Sequence, residues 1–377
     1  MKTLFATVWP AFPPISGADL RTWQSAKAAS ELGPVLLAST VRPQPEVPPP
    51  GVEIRHICGW KNSDFELIFS PDAIEQFKAL CSDFRPDVII LESLHLINLL
   101  AVARQSTKTL IIDMHNVESD LVAQDAEGEL DSEVIRAIAK LTERIRALEQ
   151  SAIFRADRTW VCSSDDRDRL VKHGADATRI EIIPNGIPFP ESIQFRPQIK
   201  GRCRQPKILF IGHLHYQPNI DAALWLVDLV PEIWKRIPDA QMIVAGRNPH
   251  PALLSKAQPG KITVVADPVS TSVLIQSATV TAIPLQRGGG TRIKILEALA
   301  WGLPVVATAR AAEGLQLQDG VHLRIAETAV EFVTAICDLC TDPESFESQR
   351  QAARQHVMAN FGPDVIAARI QKALQFR

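Results

Sequence analysis

A run of about 18 uninterrupted apolar residues, the mark of a membrane-crossing helix, occurs nowhere in these 377 residues. The opening "MKTLFATVWPAF" is short, broken by Pro10 and followed by no small-residue cleavage pattern, so it reads as a first β-strand and not as a secretory leader. That leaves at most a weak peripheral association with a membrane, and the cytoplasm is the expected location. A surplus of basic residues is also lacking. With 40 Lys and Arg against 43 Asp and Glu, the formal net charge is −3, which argues against nucleic acid as a partner, since phosphate-backbone affinity draws on concentrated positive charge. Cysteine is sparse, and Cys58, Cys81, Cys162, Cys203, Cys337 and Cys340 follow no disulfide-scaffold spacing, as suits a reducing compartment. Cys337 and Cys340 form a C-x-x-C late in the apolar-periodic run "AVEFVTAICDLC", without a second ligand pair at zinc spacing. They read as small hydrophobes on a helix face.

What is present is 46% hydrophobic and 22% charged residues, enough for two domains with a core each. Apolar, β-branched runs ("KTLFATV", "PVLLAST", "DVIILES", "TLIIDMH", "RTWVCSS") alternate with helical patterns such as "LRTWQSAKAASEL" and "PDAIEQFKALCSDF". Strands apolar along their whole length and separated by helices predict a parallel sheet covered on both faces. The pattern stops in the proline- and base-rich "ESIQFRPQIKGRCRQP", expected to be a linker, and resumes with "KILFIGHL", "AQMIVAGR", "ITVVAD", "VTAIPL" and "PVVAT". The prolines from Pro43 to Pro50 are expected in an exposed loop. The long helical stretch "SEVIRAIAKLTERIRALEQSAI" places Val134, Ile138, Leu141, Ile145, Leu148 and Ala152 on one stripe, expected to pack on the sheet.

Parallel sheets take ligands beyond the carboxyl ends of their strands. There "VTAIPL" runs through "QRGGG" into "TRIKILEALAWG", whose Ile293, Leu296, Leu299 and Ala300 keep helical spacing and whose Gly302 and Pro304 are stop signals. Gly288, Gly289 and Gly290 thus precede a helix, where backbone amides and the helix dipole favour an anion such as phosphate. Arg292 and Lys294 add to that bias, beside Thr291. Glu297 lies too deep in the helix to cap it, and at that depth its carboxylate can accept the two hydroxyls of a ribose. His115 follows a strand ending at Asp113; a lone histidine there is more often structural than functional. Asp166 and Asp168 in "SSDDRDRL" form a D-x-D, but acids after a serine also mark a helix start, and no metal site is expected.

Taken together, "GGGTRIKILEALAWGLPVVATARAAEGL", "GHLHYQPNIDAALWL", "VAGRNPHP", "IIPNGI" and "DMHNVES" resemble the family 4 glycosyltransferases of the GT-B fold, over nearly the whole chain. The likeness is to a branch with Gly-Gly-Gly-Thr-Arg-Ile-Lys and His-Asn-Val-Glu elements, common in surface-polysaccharide synthesis. The resemblance implies an α/β chain of two Rossmann-like parallel-sheet domains facing each other across a cleft. Residues 1–190 would serve the acceptor, 205–360 would hold a nucleotide-sugar, and 361–377 would return to the first domain as a helix. It implies retaining, metal-independent transfer of a sugar from a UDP- or GDP-linked donor, needing no other cofactor, to a glycan or lipid-linked acceptor. The family's E-x7-E pair puts its second member on Glu297, as ribose ligand, and its first on Gly289. Its diphosphate-gripping Arg and Lys fall on His213 and Asn219, so Arg292, Lys294 and the Gly288 to Thr291 amides are left to hold the diphosphate. His115 would face the donor sugar and share the catalytic role with Glu297, Glu118 would orient that loop or meet the acceptor, and Gly17 would lie in the first glycine loop, against the donor phosphate. Two rivals stay open: a nucleotide-sugar epimerase of similar fold, and a nucleotide-sugar-binding protein without transfer activity, suggested by Gly289.

Overall fold

Residues 1–8, 16–41, 50–187 and 205–375 are described by the computed structural model, in which the chain divides into two α/β units. Of the proline-rich loop expected at 43–50, residues 43–49 lie outside the described residues, as do residues 191–204 of the linker expected at 191–206. The first unit comprises Met1–Gly186, Gly289–Thr291 and Pro363–Arg377, the second Ile187–Gly288 and Arg292–Gly362.

In the first unit the order is β1 (Thr3–Thr7), α1 (Gly17–Ser30), β2 (Val35–Ser39), β3 (Val52–His56), β4 (Trp60–Asn62), β5 (Leu67–Phe69), α2 (Pro71–Phe84) and β6 (Val88–Glu92). It continues with α3 (Leu100–Ser106), β7 (Thr109–Met114), α4 (Glu118–Ala123), α5 (Ser132–Arg155), β8 (Arg158–Val161), α6 (Ser164–Lys172) and β9 (Ile180–Ile182). Seven strands form a parallel sheet in the order β3-β2-β1-β6-β7-β8-β9, while β4 and β5 make a small antiparallel pair. Alternate residues feed two cores: Leu4, Leu36, Ile89, Leu91 and Ile112 on one face, Phe5, Leu37, Ile90, Ile111 and Trp160 on the other. Both faces being covered explains strands without polar alternation. Helix starts are fixed locally: Ser16 and Asp19 form a capping box on α1, and Ser70 with Pro71 opens α2.

The second unit runs β10 (Lys207–Ile211), α7 (Gln217–Arg236), β11 (Gln241–Gly246), α8 (Pro251–Leu254), β12 (Ile262–Ala266), α9 (Ser272–Ser277), β13 (Val280–Ile283), α10 (Ile293–Ala300) and β14 (Val305–Ala307). It ends with α11 (Ala309–Ala312), β15 (Arg324–Ile325), α12 (Ala329–Thr341) and α13 (Glu347–Phe361). Its six parallel strands lie in the order β12-β11-β10-β13-β14-β15. Cys337 and Cys340 are buried on α12 within this core. The last helix, α14 (Pro363–Leu374), belongs to the first unit, where Ile366, Ile370, Ala373 and Leu374 share a core with Phe5 and Leu37.

Each sheet reverses its strand order once, between β1 and β6 and between β10 and β13. Such switch points leave a crevice at the carboxyl ends of the two strands. One expectation needs correction. On α5 only Leu141, Ile145, Leu148 and Ala152 of the apolar stripe join the core, while Val134 stays 40% exposed and its neighbour Ile135 37%. A helix of 24 residues is about 36 Å long and outruns strands of four to six residues. No helix among the described residues is long and apolar enough to cross a membrane.

Candidate functional site

At the switch point of the second unit, β10 is followed by Gly212 and His213. A β-carbon on Gly212 would stand 2.9 Å from Asn219 Cγ and 3.0 Å from Lys294 Nζ, so glycine lets both side chains lie against the strand end. Asn219, in the first turn of α7, donates from Nδ2 to the His213 carbonyl at 3.0 Å. Its Oδ1 accepts from Lys294 Nζ at 2.8 Å, and the ammonium lies 4.7 Å from the centre of the Phe210 ring. Among the described residues no carboxylate pairs with Lys294. Burial, reinforced by the Arg292 charge, pushes its pKa down to about 7. One turn further along α10, Glu297 accepts a hydrogen bond from Thr271 Oγ1 at 3.1 Å, yet burial pushes its carboxyl up to about 6. Gly288, at φ 126°, gives room for the Arg292 guanidinium, whose Nη2 would lie 3.1 Å from a β-carbon there. Arg292 is buried at the N-cap position of α10 without a side-chain cap. The sequence-expected His213, Asn219, Gly288, Arg292, Lys294 and Glu297 thus gather on two strand ends and the first turns of α7 and α10. Lys294 and Glu297, a cation and an acid three residues apart, have no ion-pair partner among the described residues.

In the first unit the register sets Glu92 beside Asp113 on neighbouring strands β6 and β7. Two adjacent buried carboxyls are tolerated because each is treated differently. Asp113 receives the Arg21 fork, Nε to Oδ2 at 2.8 Å and Nη2 to Oδ1 at 2.6 Å, while Arg21 Nη1 also donates to the Ile183 carbonyl at 2.5 Å and to Asn185 Oδ1 at 3.1 Å. Glu92 accepts from Thr22 Oγ1 at 2.5 Å, and burial together with the Asp113 charge pushes it up to about 8, so it keeps its proton at neutral pH. His115 follows β7. Burial, with Arg21 and His95 adding to it against Asp113, holds its imidazole down to about 4, hence neutral. Its Nε2 is 3.8 Å from Asp113 Oδ2, and is buried with no hydrogen-bond partner among the described residues.

The glycine stretch Gly289–Thr291 belongs to this unit. A β-carbon on Gly289 would come within 2.7 Å of Asn116 Oδ1, and one on Gly290 within 2.9 Å of the His115 carbonyl. This is the physical reason glycine stands where the family resemblance leads one to expect an acid: Asn116 fills the place, its Nδ2 donating to Glu118 Oε1 at 3.1 Å. Thr291 Oγ1 accepts from Asn185 Nδ2 at 2.7 Å. Gly17 is the first residue of α1, behind the Ser16 cap. Asp166 receives the Ser163 cap, with Oγ donating to Oδ2 at 2.7 Å, and pairs with Arg169 at 3.3 Å; Asp168 pairs with Arg167 at 2.8 Å. Of the D-x-D, only Asp166 lies in the first turn of α6.

Sequence patterns gave no sign of the Arg21–Asp113–Glu92 cluster, in which Arg21 lies 92 positions from Asp113, nor of Thr271 beside Glu297. His95, in the loop after β6, carried the same signal as His115, a polar ring just beyond an apolar strand.

Residues 17–186 match the family described as Glycosyl transferase 4-like domain, and residues 205–342 the family described as Glycosyl transferases group 1. A phosphatidyl-myo-inositol mannosyltransferase of Mycobacterium leprae is 27% identical over 210 residues, 54% of this chain and 54% of its own. The match therefore spans about half the length of that relative. An uncharacterized 44.6 kDa protein in the cps region of Klebsiella pneumoniae is 23% identical over 261 residues, 66% of this chain and 64% of its own. Among solved structures, sucrose-phosphate synthase from Thermosynechococcus elongatus superposes with a TM-score of 0.77 at 16% identity, over 99% of this chain and 98% of that one. Anabaena HepE in complex with UDP does so with 0.71 at 15%, over 99% of each. At these identities the structural likeness is one of fold. With both sheets matched by family and by architecture, the chain belongs to the family 4 glycosyltransferases of the GT-B fold.

Proposed function

We propose that this protein is a retaining glycosyltransferase that moves a sugar from a UDP- or GDP-linked donor to a glycan or lipid-linked acceptor, without a divalent metal, in the synthesis of a surface polysaccharide or glycoconjugate. The observation that carries it is Lys294, a partly buried ammonium held by one amide oxygen and an aromatic face, with no carboxylate beside it among the described residues. Such a cation fits an anion that arrives from outside. The departing nucleoside diphosphate gains negative charge as the bond to the sugar breaks, and preorganised cations and amides stabilise that charge. Lys294, Arg292 and the Gly288 to Thr291 amides take this role, with His213 and Asn219 fixing the ammonium. Glu297 accepts the ribose hydroxyls. His115, neutral and with Nε2 uncommitted, meets a hydroxyl of the donor sugar, and Gly17 lets backbone approach the donor phosphate.

Likeness supports the same class. The HepE neighbour is known in complex with UDP-glucose, the mycobacterial relative is named for mannosyl transfer to phosphatidyl-myo-inositol, and the Klebsiella relative lies in a cps region.

The test is a thermal-shift screen with uridine, guanosine and adenosine diphosphates in excess chelator, followed by donor turnover with and without acceptor mixtures. A ligand that binds only the folded chain raises its melting temperature, so one diphosphate should stabilise strongly without metal. Absence of any shift would sink the proposal. A new sugar nucleotide formed without acceptor would make the chain an epimerase, and donor binding without turnover over a broad acceptor panel would make it a binding protein.

A further inference from the structure

The switch point of the first unit carries groups that the donor chemistry leaves unused. β1 and β6 are the strands between which its sheet reverses, so the loop after β6 opens on the crevice where such sheets take ligands. That loop begins at Ser93, a non-glycine residue held at φ 89° and ψ 140°. Backbone strain of this kind persists where its surroundings over-determine it, and gathers at functional sites. Ser93 N donates to the Asp113 carbonyl at 2.9 Å. Its Oγ accepts from the His95 amide at 3.3 Å and lies 2.8 Å from His95 Nδ1. With Nδ1 tied to Ser93, Nε2 is the ring nitrogen left for a ligand, and no described residue bonds it. The imidazole packs 4.6 Å from the Phe65 ring, tilted by 45°. Two rings therefore make an apolar wall with a single polar tip. Burial holds that imidazole below its ordinary range against the pull of Glu66, so the tip is neutral near pH 7.

Charge narrows what fits. Among the described residues that follow the seven parallel strands, 8, 16, 40–41, 50–51, 57–59, 93–99, 115–117, 162–163 and 183–187, there is no Lys or Arg. Nearby guanidiniums are already engaged, Arg21 by Asp113 and Arg144 by Glu66 and Asp64. A phosphate-bearing head group would find little counter-charge here, whereas a sugar ring offers an apolar face to the wall and hydroxyls to Nε2.

We propose that Ser93, His95 and Phe65 form the acceptor subsite, and that the acceptor presents an uncharged sugar ring to it. The proposal rests on the glycosyltransferase function above. Two measurements test it. In saturation-transfer NMR, methyl α-glucoside, methyl α-mannoside and methyl β-galactoside serve as probes, with dihexanoyl phosphatidylinositol as the charged comparator. At least one hexoside should receive saturation, the phosphoinositide should not, and His95→Ala should abolish the signal. In turnover with UDP-glucose or GDP-mannose, His95→Ala should raise the hexoside KM at least tenfold while donor KM and donor hydrolysis by water stay within twofold. His95→Gln, whose side-chain amide reaches the Nε2 position, should recover part of the acceptor affinity. Equal loss of donor hydrolysis and of transfer would make His95 structural and overturn the subsite, as would binding of the phosphoinositide in place of the hexosides. A wild-type chain that hydrolyses a donor but takes no hexoside overturns the subsite alone. One that neither binds a nucleoside diphosphate nor hydrolyses a donor overturns the glycosyltransferase function, and the acceptor role with it.

Discussion

At the strand ends of the first unit, ionisable side chains are answered from within: Arg21 by Asp113, Arg144 by Glu66, with Glu92 holding its proton and His115 carrying none. At the strand ends of the second unit, Lys294 has an amide oxygen and an aromatic ring for company, and Glu297 a single hydroxyl. Both ends are buried, so desolvation acts on each; what differs is who neutralises the charge. The first end balances its charges without a ligand and offers neutral hydrogen-bonding groups. At the second, the proposed donor would supply the anion and the hydroxyls that answer Lys294 and Glu297.

The sharpest way to break this contrast is to make the same change at both ends. Arg21→Met leaves Asp113 charged and unpaired in the core, which is expected to cost about 3–5 kcal/mol of stability. Lys294→Met strands no carboxylate, so its stability should be unchanged or raised. Urea denaturation of both variants decides it, and equal losses would erase the distinction. Binding should reverse the order: Lys294→Met removes a charged contact with the diphosphate, about 1.5–3 kcal/mol or a 10- to 150-fold weaker affinity by calorimetry. Glu297→Gln should fall on the same scale, because an amide accepts two ribose hydroxyls less well. Unchanged nucleotide affinity in either folded variant would remove that residue from the donor site.

The sheets were legible because buried parallel strands must be apolar throughout, and ten runs of that kind mark ten strands. The strands β3, β4, β5, β9 and β15 escaped notice. β3 is an edge strand with alternating exposure, and the others, at two or three residues, are too short for a period to show. Of the candidate site, the glycine stretch and Glu297 could be read locally, since loop, helix phase and one misplaced acid lie within ten positions. Arg21 and Asp113 could not, because ion pairing between a helix and a strand 92 positions away has no local pattern. Gly289 shows the limit from the other side: its reason is the Asn116 side chain, which only the folded chain brings there.

Acidity sharpens the comparison by smaller steps. In the second unit Lys294 loses its proton near pH 7 when no ligand is bound, so nucleoside diphosphate affinity should fall as pH rises above about 7, by at most tenfold per unit. Lys294→Arg, which stays charged, should flatten that slope. In the first unit the folded chain keeps the Glu92 proton up to about 8 while an unfolded glutamate has released it above its ordinary 4.5. The folded state then binds more protons, and this group's contribution to stability is present below pH 4.5 and lost as pH rises to about 8. Glu92→Gln should remove that decline, measured as urea midpoints from pH 5 to 9; a wild-type chain whose decline survives the substitution would assign it to another group.

The smallest effect expected is at Thr271, whose hydroxyl gives Glu297 one hydrogen bond at 3.1 Å. Burial already raises the Glu297 pKa to about 6, and this bond is what opposes a further rise. Thr271→Val keeps the shape and removes the donor, so the carboxyl should hold its proton to a higher pH. A protonated carboxyl accepts two ribose hydroxyls less well, and the loss should be about 0.5–1.5 kcal/mol, a 2- to 12-fold weaker nucleotide affinity. The deficit should grow as pH falls from 8 to 6, because protonation of the variant then competes with binding sooner than in the parent. Calorimetric titrations of both chains at three pH values test this. A deficit independent of pH would mean that Thr271 acts on the nucleotide directly, and no deficit would mean that the Glu297 charge is set by burial alone.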